Sequence, residues 1–169
     1  KTIARLQRTF YSAMWMVQLL KKNAVPKVVE QTYKKHIRTT LKQFKQYIQY
    51  APSNFEHLYY LLKAEYSRYL GKISGAKLYY DRAIQLASFN SFLCDRALIN
   101  RCAALFYEEQ NERHRAEEYM QQAVDLLKEW GAYRLSTHWE QQYDYLLHNK
   151  RVTPKNEVLV PFDMHAVIE

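Results

Sequence analysis

Residues 51–135 state one helical pattern twice, forty positions apart, with small residues recurring where two helices would have to touch. Leu58, Ala64, Tyr66, Ala76, Tyr79, Ala83, Ile84 and Leu86 are answered by Leu98, Ala104, Phe106, Ala116, Tyr119, Ala123, Val124 and Leu126. A period of this size decides the fold. A single helix pair cannot bury its own apolar side, so successive pairs must stack into an array whose surfaces are suited to binding. The expected class is all-α, built from antiparallel helix pairs. Nothing in the pattern points to catalysis.

Composition agrees. The 169 residues are 48% hydrophobic and 15% aromatic, enough for one domain to bury a core without staples. Only 3 Gly and 4 Pro interrupt the chain, and its apolar residues recur at helical rather than alternating spacing. No run approaches the ~18 apolar residues of a membrane span, and no signal-peptide pattern opens the sequence, so a soluble protein is expected. Cys94 and Cys102 stand eight apart, near one face of one helix, a spacing unsuited to a bridge within it. They read as reduced core thiols, and with them a cytoplasmic setting. The chain starts at Lys1 and ends at Glu169 within an amphipathic-looking start, which reads as a piece of a longer protein.

Charge is unevenly placed. Of the net +8, residues 1–50 hold +10, from eleven Lys and Arg against the single acid Glu30; the other residues sum to −2. A solvated helix face is the plain reading of such a segment. The alternative is a basic helical module that binds nucleic acid through phosphate neutralisation, with Lys34, Lys35, Lys42 and Lys45 as its carriers. Tyr33, Phe44, Tyr47 and Tyr50 interleave with these lysines, but aromatics at that spacing are more often core, and no recognition motif accompanies the charge.

About seven helices are expected in one domain over 1–148, followed by an extended linker over 149–169 toward a further domain. Residues 1–50 form a basic helix pair. Its first helix carries Ile3, Leu6, Phe10, Met14, Val17 and Leu20 and closes at Asn23. The second starts with Pro26 in its first turn and stops at Pro52. Repeat one covers 55–88, with Ser53 and Glu56 as a capping box, Gly71 as a left-handed C-cap and Ser74 as an N-cap. Repeat two covers 91–130, Gly131 ends it, and a closing helix covers 133–148. In the tail, 162–169 reads as the first turns of another helix, with Asp163 as its N-cap.

Two resemblances sharpen this. Ala64, Ala76, Tyr80 and Ala83, and again Ala104, Ala116, Met120 and Ala123, place small and large residues as tetratricopeptide repeats do, although the period exceeds the usual 34. Further, the run Ala51-Pro52-Ser53-Asn54-Phe55-Glu56-His57 precedes Lys63-Ala64-Glu65-Tyr66-Ser67-Arg68-Tyr69-Leu70-Gly71 and Tyr80-Asp81-Arg82-Ala83-Ile84. With Ala116, Tyr119, Ala123 and Trp130-Gly131-Ala132, these runs resemble the helical region of large multi-sensor signalling kinases of bacteria and fungi. The likeness spans about residues 44–135. It implies a tetratricopeptide-like region between a P-loop ATPase and a GAF domain, in a protein with serine/threonine-kinase and histidine-kinase modules. It also implies that the segment is not an enzyme, since that family's kinase and ATPase residues lie outside this region.

The function expected is accordingly a non-catalytic scaffold for protein–protein or interdomain contacts in signal transduction, with no cofactor. Tyr59, Tyr60, Leu62, Lys63, Tyr66 and Arg101 are the candidate partner-binding residues, on a concave face lined by the first helix of each pair. Pro52, Asn54, His57, Ala64, Glu65, Arg68, Gly71, Ala76, Tyr80, Asp81, Ala83, Ala116, Tyr119, Ala123, Trp130, Gly131 and Ala132 carry the family-like pattern in structural roles. Among them Glu65 and Arg68 form an i,i+3 ion pair, and Asn54 and His57 bond locally at a helix start. Trp130 packs over a turn. His114 and Glu118 have a metal-ligand spacing, but two ligands without a third do not make a zinc site.

Overall fold

A computed structural model of the protein describes residues 2–89 and 92–148. It contains α1 (Thr2–Lys21), α2 (Lys27–Ile48), α3 (Pro52–Tyr69), α4 (Ile73–Phe89), α5 (Leu93–Glu109), α6 (Arg113–Glu129), α7 (Tyr133–Gln142) and α8 (Asp144–Leu147), and no strand among the described residues. Consecutive helices pack as antiparallel pairs. The odd-numbered helices α1, α3 and α5 lie side by side, and each even helix also packs on the odd helix that follows it. Among the described residues α2 and α4 do not meet, nor do α4 and α6.

The repeated alanines explain the pairing. Ala64, Ala76 and Ala83 in α3 and α4, and Ala104, Ala116 and Ala123 in α5 and α6, are all fully buried. A methyl at each crossing lets the two helices of a pair approach closely, and Tyr80 and Met120 fill the space beside them. In the first pair larger side chains do this work: Phe10 of α1 meets Phe44 of α2, which meets Phe55 of α3 edge-on.

Four helix ends are built alike. Asn23, Gly71, Asn111 and Gly131 have φ of 51°, 69°, 59° and 86°. At each, two backbone N–H groups turn back on the helix just ended, as in Gly71 N–H to Arg68 O and Lys72 N–H to Ser67 O. Asn111 with Glu112 and Gly131 with Ala132 repeat this Schellman pattern, as do Asn23 and Ala24. Asn111 stands forty residues after Gly71, so the repeat preserves the backbone turn while changing the residue. Trp130 precedes this turn as the C-cap and keeps 38% of its surface in solvent.

The starts of the helices depart from expectation. Pro26 is the N-cap of α2, in extended conformation, and not a first-turn residue. The Ser53–Glu56 capping box is replaced: Ala51 is the N-cap of α3 and Pro52 its first helical residue, which needs no N–H partner there. Ser74 lies inside α4, which begins at Ile73. The closing helix is two elements, because Tyr143 (φ −112°) breaks it between α7 and α8. That makes eight helices among the described residues, where about seven are expected for the chain. The linker 149–169, the helix start within it and Ser91 lie outside the described residues.

Candidate functional site

A buried carboxylate organises the array. Glu65 of α3 is fully buried. Its Oε2 accepts from Lys21 Nζ at 3.1 Å and Gln18 Nε2 at 3.0 Å, both on α1. Its Oε1 accepts from Arg68 Nη1 at 3.2 Å and from the Tyr80 hydroxyl of α4. Arg68 in turn reaches α5, where Nε donates to Glu109 Oε2 at 2.6 Å and Nη2 to Oε1. The expected Glu65–Arg68 pair is thus one edge of a net joining α1, α3, α4 and α5.

The electrostatics follow from burial against charge. Burial pushes the Glu65 carboxyl up, but Lys21, Arg68 and the hydrogen bonds from Tyr80 and Lys21 outweigh it, holding the group at about 2. Burial, then the Glu65 charge, raise the Tyr80 phenol well above its usual range. The same two causes push the buried Cys102 thiol up to about 12. Cys94, half-buried, is raised to about 11 by burial and by Asp95. Neither cysteine is a reactive thiolate at neutral pH.

A second tie joins α3 to α5. His57, 1% exposed, places Nε2 2.9 Å from Asp95 Oδ2 and stacks its ring on Phe92 at 5.2 Å. His57 therefore bridges two helices instead of bonding locally at the start of α3, and its Nδ1 is buried without a hydrogen-bond partner. Asn54 and Pro52 are exposed, as is Asp81, while Tyr119 and Ala132 are half-buried. Tyr119 stacks on Tyr107 at 5.4 Å, with Arg115 over the Tyr107 ring.

The proposed binding residues do not share one concave face. Leu62 is fully buried and Tyr66 is 8% exposed, so both belong to the core. His57, Leu61, Glu65 and Arg68 form the α3 face turned to α1 and α5. Tyr59 and Lys63 fall on the opposite face, because they stand about 200° and 240° round the helix from His57. Tyr60 lies beside them, against α4. Lys63 Nζ sits 4.0 Å from the Tyr79 ring centroid of α4, 5.3 Å from Tyr59 and 5.6 Å from Tyr60. Arg101 of α5 is elsewhere, donating to the Tyr143 hydroxyl at 2.6 and 3.0 Å and lying over Trp139. An apolar/polar periodicity separates buried from exposed faces but does not say which neighbour each face meets.

The sequence pattern also leaves unseen a groove between α2 and α4, floored by α3. On its α2 side Tyr69 donates to Glu30 at 3.0 Å, Arg38 Nε donates to Tyr66 at 3.3 Å, and Tyr47 packs on Phe55. On its α4 side Arg82 lies 3.8 Å from Glu56 and Tyr79 packs on Tyr60. The antiparallel α2–α3 register set by these contacts brings Lys42 level with Tyr59 and Lys45 level with Glu56. Lys35, Arg38, Lys42 and Lys45 are all exposed. The signal available in sequence was the i, i+3, i+7, i+10 spacing of these four, which puts them on one stripe.

Among the described residues no group of three or more His, Cys, Asp or Glu could hold a metal ion, and no helix is long and apolar enough to cross a membrane. His114 and Glu118 form an exposed pair at 3.5 Å. The architecture defines an all-α array of antiparallel helix pairs braced by a buried ionic net. No protein-family model, no curated protein and no solved structure matches the chain.

Proposed function

We propose that this chain is a non-catalytic helical-repeat scaffold that mediates protein–protein or interdomain contacts within a multidomain signalling kinase. The observation that carries the reading is the net of Lys21, Glu65, Arg68, Tyr80 and Glu109, which ties α1, α3, α4 and α5 to one another. A scaffold requires such rigidity, because a partner held at one pair must keep its position relative to a partner held at another. The motifs from Pro52 to Ala132 that resemble the sensor-kinase helical region support the particular setting. A cytoplasmic location belongs to the same proposal.

Lysine-directed crosslinking with mass spectrometry, on a longer polypeptide carrying the flanking sequence, tests it. Crosslinks from this array to a neighbouring domain or to a specific protein are the expected result. Their absence, with intra-array crosslinks still present, would end the scaffold reading.

A further inference from the structure

We propose that the groove between α2 and α4 is the docking site for an extended acidic peptide segment of a partner protein, its carboxylates engaging Lys35, Arg38, Lys42, Lys45 and Lys63. This names the kind of partner for the scaffold function above and rests on that reading.

The groove combines open geometry with one-sided charge. α2 and α4 both pack on α3 but not on each other, so a strip of α3 containing Tyr59 and Lys63 floors the space between them. The only acid on α2 is Glu30, and it is engaged by Lys34 and Tyr69. On the α3 floor Glu56 is paired with Arg82. Lys35, Lys42 and Lys45 form no ion pair among the described residues, and Lys63 is surrounded by tyrosine rings, with no carboxylate among its partners. Exposed like charges held together by the fold repel one another, and an incoming row of carboxylates relieves that repulsion.

Spacing selects the form of the occupant. Lys35, Arg38, Lys42 and Lys45 follow one another at about 4.5 to 6 Å along the helix axis, over about 15 Å in all. In an extended chain alternate side chains point the same way and recur at about 6.6 Å, so about five residues span the stripe and present carboxylates to it in step. Chemistry selects peptide over single-stranded nucleic acid. Bases bind such surfaces by stacking on free aromatic faces. Here Tyr59, Tyr60 and Tyr79 pack against one another at 5.2 and 6.0 Å, and Lys63 lies over all three. A carboxylate needs only the ammonium groups.

The test is fluorescence anisotropy of a labelled peptide of alternating glutamate and threonine, with the whole chain, at about 0.15 M salt. Saturable binding is expected, weakened about tenfold by Lys42→Glu with Lys45→Glu and about threefold by Lys63→Met. The exposed Arg134→Glu, on α7, should leave it within about twofold. Far-UV circular dichroism checks that each variant is folded. No saturable binding, or binding indifferent to the Lys42/Lys45 reversal, overturns the proposal. So does tighter binding of a single-stranded oligonucleotide of equal charge with the same dependence on those lysines, which would make the stripe a nucleic-acid face. Interdomain crosslinks that persist when the peptide fails to bind would refute the groove while leaving the scaffold function standing.

Discussion

Replacing Glu65 with glutamine keeps the size of the side chain, removes its charge and turns one of its two acceptor oxygens into a donor, as protonation of the carboxyl also does. A carboxyl held at about 2 rather than its ordinary 4.5 contributes about 3 kcal/mol to folding at neutral pH. Breaking a buried ion pair from one side costs ~3–5 kcal/mol, because the remaining cation is left uncompensated. In Glu65→Gln two cations, Lys21 and Arg68, are left so, although Arg68 keeps Glu109. Both routes converge on a loss of about 3 kcal/mol, a large part of the ~5–15 kcal/mol that holds a domain together. Urea unfolding at pH 7, followed by far-UV circular dichroism, measures it, with an unchanged denaturant slope. The pH dependence is the sharper half. The folded-state pKa is depressed, so the stabilisation is fully present above about 4.5 and is lost as pH falls toward 2. The gap between the wild type and Glu65→Gln should therefore close over that interval. A gap below about 1 kcal/mol at pH 7, or one that persists undiminished at pH 2, would refute the assignment of Glu65 as the charged centre of the net.

Other substitutions separate backbone from side-chain effects. Gly131→Ala should destabilise by about 1 kcal/mol in thermal melts although no atom lies within 4 Å of the new methyl, because the cost comes from φ of +86°. Gly75→Ala, inside α4 with its nearest neighbours at 3.9 Å, should stabilise by about 0.5–1 kcal/mol. His57→Leu should cost about 1–3 kcal/mol, by leaving Asp95 without its partner; a neutral result would show that the α3–α5 tie contributes nothing. Iodoacetamide at pH 8 should leave both Cys94 and Cys102 unmodified in the native protein and label both in urea, as mass spectrometry would report. Rapid native labelling would contradict thiols raised to about 11 and 12 by burial.

Much of the fold was legible because its determinants are local. The alanine spacing that pairs α3 with α4 and α5 with α6, and the helix ends at Asn23, Gly71 and Gly131, are properties of a few consecutive turns. What was missed depends on neighbours distant in sequence. Glu65 and Arg68 read as a local pair, yet Lys21 and Gln18 lie 44 and 47 residues away and Glu109 lies 41. Leu62 and Tyr66 read as surface because the periodicity of α3 does not reveal that it has neighbours on most of its sides. Helix starts were misplaced beside prolines: Pro26 caps α2 instead of entering its first turn, and at Pro52 a fixed backbone torsion, not the Ser53 side chain, sets the boundary.

The shared Schellman turns carry a consequence for how the chain folds. Asn23, Gly71 and Asn111 each close an antiparallel pair whose two helices adjoin in sequence, so the loop entropy of forming any one pair is small. Each hairpin can begin to form from neighbouring sequence alone, and stacking on the next pair then covers the apolar side that it cannot bury by itself. The Glu65 net belongs to a later event, because it needs α1, α3, α4 and α5 already in place. Glu65→Gln should then leave the refolding rate nearly unchanged and appear almost wholly as faster unfolding, whereas Gly71→Ala, within a hairpin turn, should slow refolding itself. The same turns that set the architecture thus divide the chain into hairpins that start from local contacts and are locked together last.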